Sequence, residues 1–73
     1  MLSTPVILTV AGSDCSGGAG IQADIKTISA LKGYAASVIT AVTAQNTVRV
    51  QTVYPIPPDI VRMQTESVMD DLQ

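Results

Sequence analysis

Four glycines fall within the nine residues Gly12 to Gly20, and the stretches on either side of them leave few folds open. Before them runs Val6-Ile7-Leu8-Thr9-Val10-Ala11, almost continuously apolar and β-branched. Such a run reads as a strand buried on both faces, as in a parallel sheet. After them the period becomes helical: Ile21, Ile25 and Ile28 recur at i, i+4 and i+7, and Leu31 extends the stripe. Lys32-Gly33 supplies a last-turn cation and a glycine stop. Ala35 to Val42, rich in Ala, Val, Ile and Thr, reads as a second strand. Strand, glycine loop, helix and strand make a βαβ crossover with parallel strands. The glycines belong to a loop whose backbone takes unusual angles or comes close to something else.

Gln45-Asn46-Thr47 is a polar break, and Val50 to Tyr54 then alternates apolar and polar like a half-exposed third strand. Pro57-Pro58-Asp59 opens a second helix, with Asp59 near its positive end and Val61, Thr65, Val68 and Leu72 as one face. Asp70-Asp71-Leu72-Gln73 puts acids at a helix end with no glycine stop, so the chain is expected to be truncated. Size points the same way, since one core is marginal in 73 residues. Cys15 is the single cysteine and there is no histidine, so neither a disulfide nor a zinc cluster can staple the fold. A chain that is 47% hydrophobic and 14% charged suits a buried sheet. Residues 1–73 are therefore expected to be part of something larger, or to pair with other copies.

Net charge is −2, with Lys26, Lys32, Arg49 and Arg62 scattered and only Tyr34 and Tyr54 aromatic, a pattern that speaks against nucleic acid. Met1 to Pro5 has no positive region and the apolar run after it stops at Gly12, so neither a signal peptide nor a membrane span is expected. The expected setting is soluble, reducing and cytoplasmic.

Familiar glycine-loop templates fail. Gly12 and Gly17 have the Walker A spacing, but Gly18 stands where the phosphate-binding lysine belongs. Gly18 to Ala23 matches a dinucleotide pattern, yet starts too far after the strand and lacks the acid about 20 residues on. Asp14-Cys15-Ser16-Gly17-Gly18 cannot serve a serine triad without histidine, and Cys15 has no base. What remains is a strand end, a loop and a helix N-terminus, the place where open parallel sheets bind ligands. Two side chains are candidates there. Asp24, one turn into the helix, is either a dipole-stabilising surface acid or a carboxylate near the ligand. Gln45, ending the second strand, is either a turn residue or a donor–acceptor for a heteroaromatic edge.

The segment Val10-Ala11-Gly12-Ser13-Asp14-Cys15-Ser16-Gly17-Gly18-Ala19-Gly20-Ile21-Gln22-Ala23-Asp24-Ile25-Lys26-Thr27 closely resembles the N-terminal signature of hydroxymethylpyrimidine and hydroxymethylpyrimidine-phosphate kinases. The likeness continues through Ser37 to Ala41, Ala44 to Thr47 and Val50 to Tyr54. It implies the N-terminal βαβ(β)α portion of a ribokinase-like, three-layer α/β fold with a mainly parallel sheet, residues 1–73 being an incomplete part of one kinase domain. It implies transfer of the ATP γ-phosphoryl group to 4-amino-5-hydroxymethyl-2-methylpyrimidine and then to its monophosphate, with ATP and Mg2+ as cofactors. Gln45 would bond the aminopyrimidine, Asp24 would line the same pocket, and the backbone at Gly12 and Thr43 would border it. The family's catalytic aspartate, glycine-rich anion hole and main ATP contacts have no counterpart here, so no catalytic residue and no metal ligand is expected within this segment. The expected partner is a small pyrimidine, without nucleic acid or membrane, and the resemblance allows a homodimer of the full-length enzyme. Two other readings stand beside it: a pyridoxal or pyridoxine kinase of the same superfamily, which Gln45 disfavours, and a short noncatalytic ligand-binding module.

Overall fold

A computed structural model of the chain describes residues 4–72. The elements follow in the order β1 (Val6–Asp14), α1 (Gly20–Ala30), β2 (Tyr34–Gln45), β3 (Val50–Pro55) and α2 (Pro58–Asp71). The strands form one sheet in the order β1-β2-β3. β1 and β2 are parallel, from Val6 opposite Tyr34 to Asp14 opposite Thr43, with α1 as their crossover. β3 returns antiparallel to β2, from Ala41 opposite Pro55 to Gln45 opposite Val50. The fold is α/β, with the βαβ unit where the periodicity put it.

Both parallel strands run further than their composition suggests. β1 continues through Gly12, Ser13 and Asp14, and β2 starts at Tyr34 and reaches Gln45. Backbone pairing overrides the poor strand preference of glycine and aspartate. Between Ala11 opposite Ile39 and Ser13 opposite Val42, β2 advances three residues while β1 advances two. Thr40 and Ala41 thus oppose Gly12 alone, a bulge of the kind found beside functional sites.

α1 starts and stops by unusual means. Gly20 has φ 61°, and a Cβ there would collide with the carbonyl oxygen of Gly12, so only glycine lets the helix start this close to β1. The helix ends at Ala30, before the expected cation. The left-handed position that follows is taken by Lys32 at φ 66°, not by Gly33. Lys32 N–H donates to Ser29 O at 3.0 Å and Gly33 N–H to Ile28 O at 2.9 Å, the two bonds of a Schellman cap. Gly33 is required for space, because a Cβ would lie 2.9 Å from Ile28 Cγ2. Leu31 caps the helix and is 78% exposed rather than part of the buried stripe.

Among the described residues the buried apolar set is Ile21 and Ile28 of α1 with Ala36 and Val38 of β2. β1 is not covered on both faces as its composition predicts: Ile7 and Val10 are exposed, and α2 packs against β2 rather than β1. β3 is exposed at all six positions, not half-exposed. Val61, Thr65, Val68 and Leu72 are half-buried, as the spacing predicts, while most of α2 is exposed. Gln64 ties α2 to the sheet: its Oε1 accepts Ile39 N–H at 2.9 Å and its Nε2 donates to Ile39 O at 2.8 Å. The amide thereby takes the place of a neighbouring strand just where β3 has ended.

Candidate functional site

The loop after β1 is built around Asp14, which is only 3% exposed. Its Oδ1 accepts the Ser16 hydroxyl at 2.7 Å and the Ser16 N–H at 2.9 Å. Its Oδ2 accepts Gly18 N–H at 3.1 Å and Ala19 N–H at 2.8 Å. The Ser16 hydroxyl, and after it the Ser16, Ala19 and Gly18 amides, hold the carboxyl below its ordinary range, against an opposing push from desolvation. α1 has no side-chain cap on Ala19; Asp14 instead fixes the two residues that lead into the helix. The consequence is chemical. The amides of Gly18 and Ala19, just ahead of the helix, already face a carboxylate of the same chain. This part of the glycine loop is closed on itself by Asp14.

Further bonds join this loop to α1 and to the end of β2. Gln22 Oε1 accepts Asp14 N–H at 2.8 Å, and Gln22 Nε2 donates to Ser13 Oγ at 2.8 Å. Lys26 Nζ donates to Gly17 O at 2.9 Å. Thr43 Oγ1 stands 2.7 Å from the Ser13 carbonyl oxygen and 2.6 Å from the Gln45 side-chain amide. The Cys15 thiol donates to Gln45 O at 3.1 Å, and Gln45 N–H points back to Cys15 Sγ at 3.4 Å. Two of the four residues singled out from the sequence meet at one edge of the sheet, where Thr43 touches Gln45; Gly12 precedes Ser13 in β1 and itself faces Ala41.

Asp24 lies apart from them. It is the fifth residue of α1, beyond the first turn, and its Oδ2 accepts the hydroxyl of buried Thr9 at 2.6 Å. Together with Ile7, Val10, Thr27 and Ile28 they line an open cavity of about 400 Å³. Thr9 precedes Ser13 by four strand residues, roughly 13 Å along β1, and no hydrogen bond links Asp24 to Gln45 or Thr43 among the described residues. Sequence reasoning passed over Asp14 and Gln22. Asp14-x-Ser16 followed by glycines is an Asx-turn pattern that could have revealed the first; nothing marks the second.

The sequence profile of the phosphomethylpyrimidine kinase family matches residues 14–73. The chain belongs to the phosphomethylpyrimidine kinase family. The hydroxymethylpyrimidine/phosphomethylpyrimidine kinase of Escherichia coli is 62% identical over 66 residues, which are 90% of this chain and 25% of that protein. The crystal structure of phosphomethylpyrimidine kinase from Clostridium difficile 630 superposes with a TM-score of 0.88 at 54% identity, covering 96% of this chain and 30% of that one. The pyridoxal kinase of Staphylococcus aureus, solved with AMP-PCP and pyridoxal, superposes at 0.82 with 36% identity over 93% of this chain and 26% of its own. The family chain described here thus spans about a quarter of the curated bacterial relatives it matches. Among its described residues no group of three or more His, Cys, Asp or Glu could hold a metal ion. No described helix is long and apolar enough to cross a membrane.

Proposed function

We propose that these residues form the acceptor-side pocket of a kinase that phosphorylates 4-amino-5-hydroxymethyl-2-methylpyrimidine and then its monophosphate, supplying the pyrophosphate used to make thiamine. In each transfer the hydroxyl or phosphate oxygen of the acceptor gains the γ-phosphoryl group and ADP leaves. The observation that carries this reading is Gln45 at the carboxyl edge of two parallel strands, its side-chain amide against Thr43 and its backbone held by Cys15. Ligands of open parallel sheets bind at such an edge. A flat ring with an exocyclic amine suits a rigidly held donor–acceptor pair. Gly12, opposite the bulge in β2, leaves the backbone open to the ring, and Asp24 walls the adjoining groove.

ATP and Mg2+ belong to this reading as ligands of other parts of the enzyme. The Gly18 and Ala19 amides are already taken by Asp14, which supports placing the phosphate contacts elsewhere. No catalytic residue is assigned within residues 1–73, which form part of a single kinase domain. A small pyrimidine is the proposed partner. A homodimer is the proposed assembly of the full-length enzyme, and the apolar side chains exposed on β3 are where a second copy would be sought first. An exposed, unpaired thiol at Cys15 suits a reducing compartment, and the proposed setting is the cytoplasm.

The test is steady-state kinetics of a full-length enzyme carrying this segment, varying each substrate in turn. Gln45→Leu keeps approximate volume and removes donor and acceptor. It should cost roughly 1–3 kcal/mol of pyrimidine binding, about tenfold to a hundredfold, with the KM for ATP little changed. Pyrimidine KM and kcat/KM within twofold of the parent would make Gln45 a turn residue. Better turnover of pyridoxal than of the pyrimidine would favour the other vitamin-kinase branch, to which the Staphylococcus aureus neighbour belongs.

A further inference from the structure

Thr43 has two neighbours and one proton. The Ser13 carbonyl oxygen, 2.7 Å away, can only accept. The atom of Gln45 nearest the hydroxyl, at 2.6 Å, is Oε1, which can also only accept. Both contacts cannot be hydrogen bonds at once. Ser13 is not free to yield. It pairs with Val42, Gln22 Nε2 donates to its hydroxyl, and Gln22 Oε1 takes the next amide, Asp14 N–H. The Gln45 backbone is equally pinned, between the Cys15 thiol on one side and Val50 in the sheet on the other. What can turn is the Gln45 side-chain amide. Rotating it over exchanges O and NH2 in nearly the same volume. Nε2–H then donates to Thr43 Oγ1, and the Thr43 proton goes to Ser13 O, so both contacts of Thr43 become hydrogen bonds.

We propose that Thr43 is the positioning residue that fixes which way the Gln45 amide faces, and that it thereby makes the pocket prefer an aminopyrimidine edge over the oxo counterpart. The inference rests on the reading of Gln45 as the group that meets the ring. In the locked orientation Thr43 consumes one amide proton, which leaves one N–H donor and Oε1 side by side for the ligand. A 4-aminopyrimidine presents the complement, an amine that donates next to a ring nitrogen that accepts. A 4-oxopyrimidine presents the reverse, a carbonyl beside a ring N–H, and meets the locked amide donor to donor and acceptor to acceptor. A glutamine free to turn over accommodates either edge.

The experiment measures dissociation constants by calorimetry for 4-amino-5-hydroxymethyl-2-methylpyrimidine and for its 4-oxo analogue, using a full-length enzyme that carries this segment. The parent should prefer the amino compound by on the order of tenfold to a hundredfold. Thr43→Val removes the hydroxyl and should cut that ratio at least about fivefold, mainly because the oxo analogue binds better. Thr43→Ser keeps the hydroxyl and should restore the parental ratio to within about twofold. A purely structural role for Thr43 would weaken both ligands alike and leave the ratio unmoved. Should Thr43→Val not fold, Thr43→Ala carries the same comparison. A Thr43→Val or Thr43→Ala ratio within twofold of the parent, alongside a Gln45→Leu variant that binds the pyrimidine weakly, overturns the positioning role and spares the Gln45 reading. If Gln45→Leu binds the pyrimidine as the parent does, the Gln45 reading itself falls.

Discussion

β1, its loop and α1 are held together by buried and hydrogen-bonded side chains, whereas β3 is held mainly by backbone pairing and α2 by the Gln64 amide and a half-buried face. In the first unit Ile21 and Ile28 are buried, and Asp14, Gln22 and Lys26 each reach back to named loop or strand atoms. In the second unit every residue of β3 is exposed and α2 contributes no fully buried residue. Sheet pairing, the Asn46 turn, whose Oδ1 accepts Val48 N–H at 2.8 Å and Arg49 N–H at 3.1 Å, and the Gln64 amide place that unit. Rigidity is thus concentrated where the candidate site lies. The second unit keeps Val53, Tyr54, Met63 and Met69 exposed and draws little packing energy from its own contacts.

The hardest test of the first unit is Gly20→Ala. The left-handed backbone and the collision with Gly12 act together, and the expected loss is roughly 2–6 kcal/mol in a denaturant titration. A loss below about 1 kcal/mol would show that the loop can shift, and that the contrast in rigidity is false. Next in size is Gln64→Leu, which leaves the Ile39 N–H and carbonyl unpaired and should cost about 1–3 kcal/mol. Hydrogen exchange should report it locally, as faster exchange of the Ile39 amide. Unchanged protection there would mean that α2 is docked by its half-buried face and not by the amide.

The smallest expected effect is acidification, and it should divide the two units. The folded Asp14 carboxyl sits below its ordinary value of 3.8. Its contribution is therefore complete above that value and is lost as pH falls through the lowered one. The Ser16, Gly18 and Ala19 amides should lose their hydrogen-bonded shifts across that acidic window, while the β3 amides stay unmoved. Loop amides indifferent to the protonation of Asp14 would sink the account of the loop as built on a carboxylate.

Much of the first unit was legible beforehand, because period is a local property. The β-branched run Val6 to Ala11, the Ile21–Ile25–Ile28 spacing and the glycine cluster each state their element within a few residues. The edge position of Gln45 followed from the order of elements in the same way. Less legible was Asp24, whose place near the strand tips was inferred from helix position alone. Its partner is Thr9, halfway down β1, and a helix turn rises only about 5.4 Å, so a residue a little over one turn along already looks onto mid-strand. The Lys32-Gly33 stop misled for a related reason: composition cannot say which of two adjacent residues takes the left-handed angle and which is glycine for lack of room.

The amino-acid sequence by itself determined the α/β class, the βαβ crossover, the polar turn before β3 and, through its long signature, the family. All of these depend on short-range patterns or on linked residues that survive translation into a linear string. Only the tertiary structure decided that Asp14 gathers the loop ahead of the helix, that Thr43 faces both Ser13 and Gln45, and that Gln64 takes the place of a neighbouring strand beside Ile39. Each of those joins residues whose approach is set by strand register, by the bulge opposite Gly12 or by helix docking. A hydrogen bond needs placement within a few tenths of an ångström, and no local pattern carries that precision.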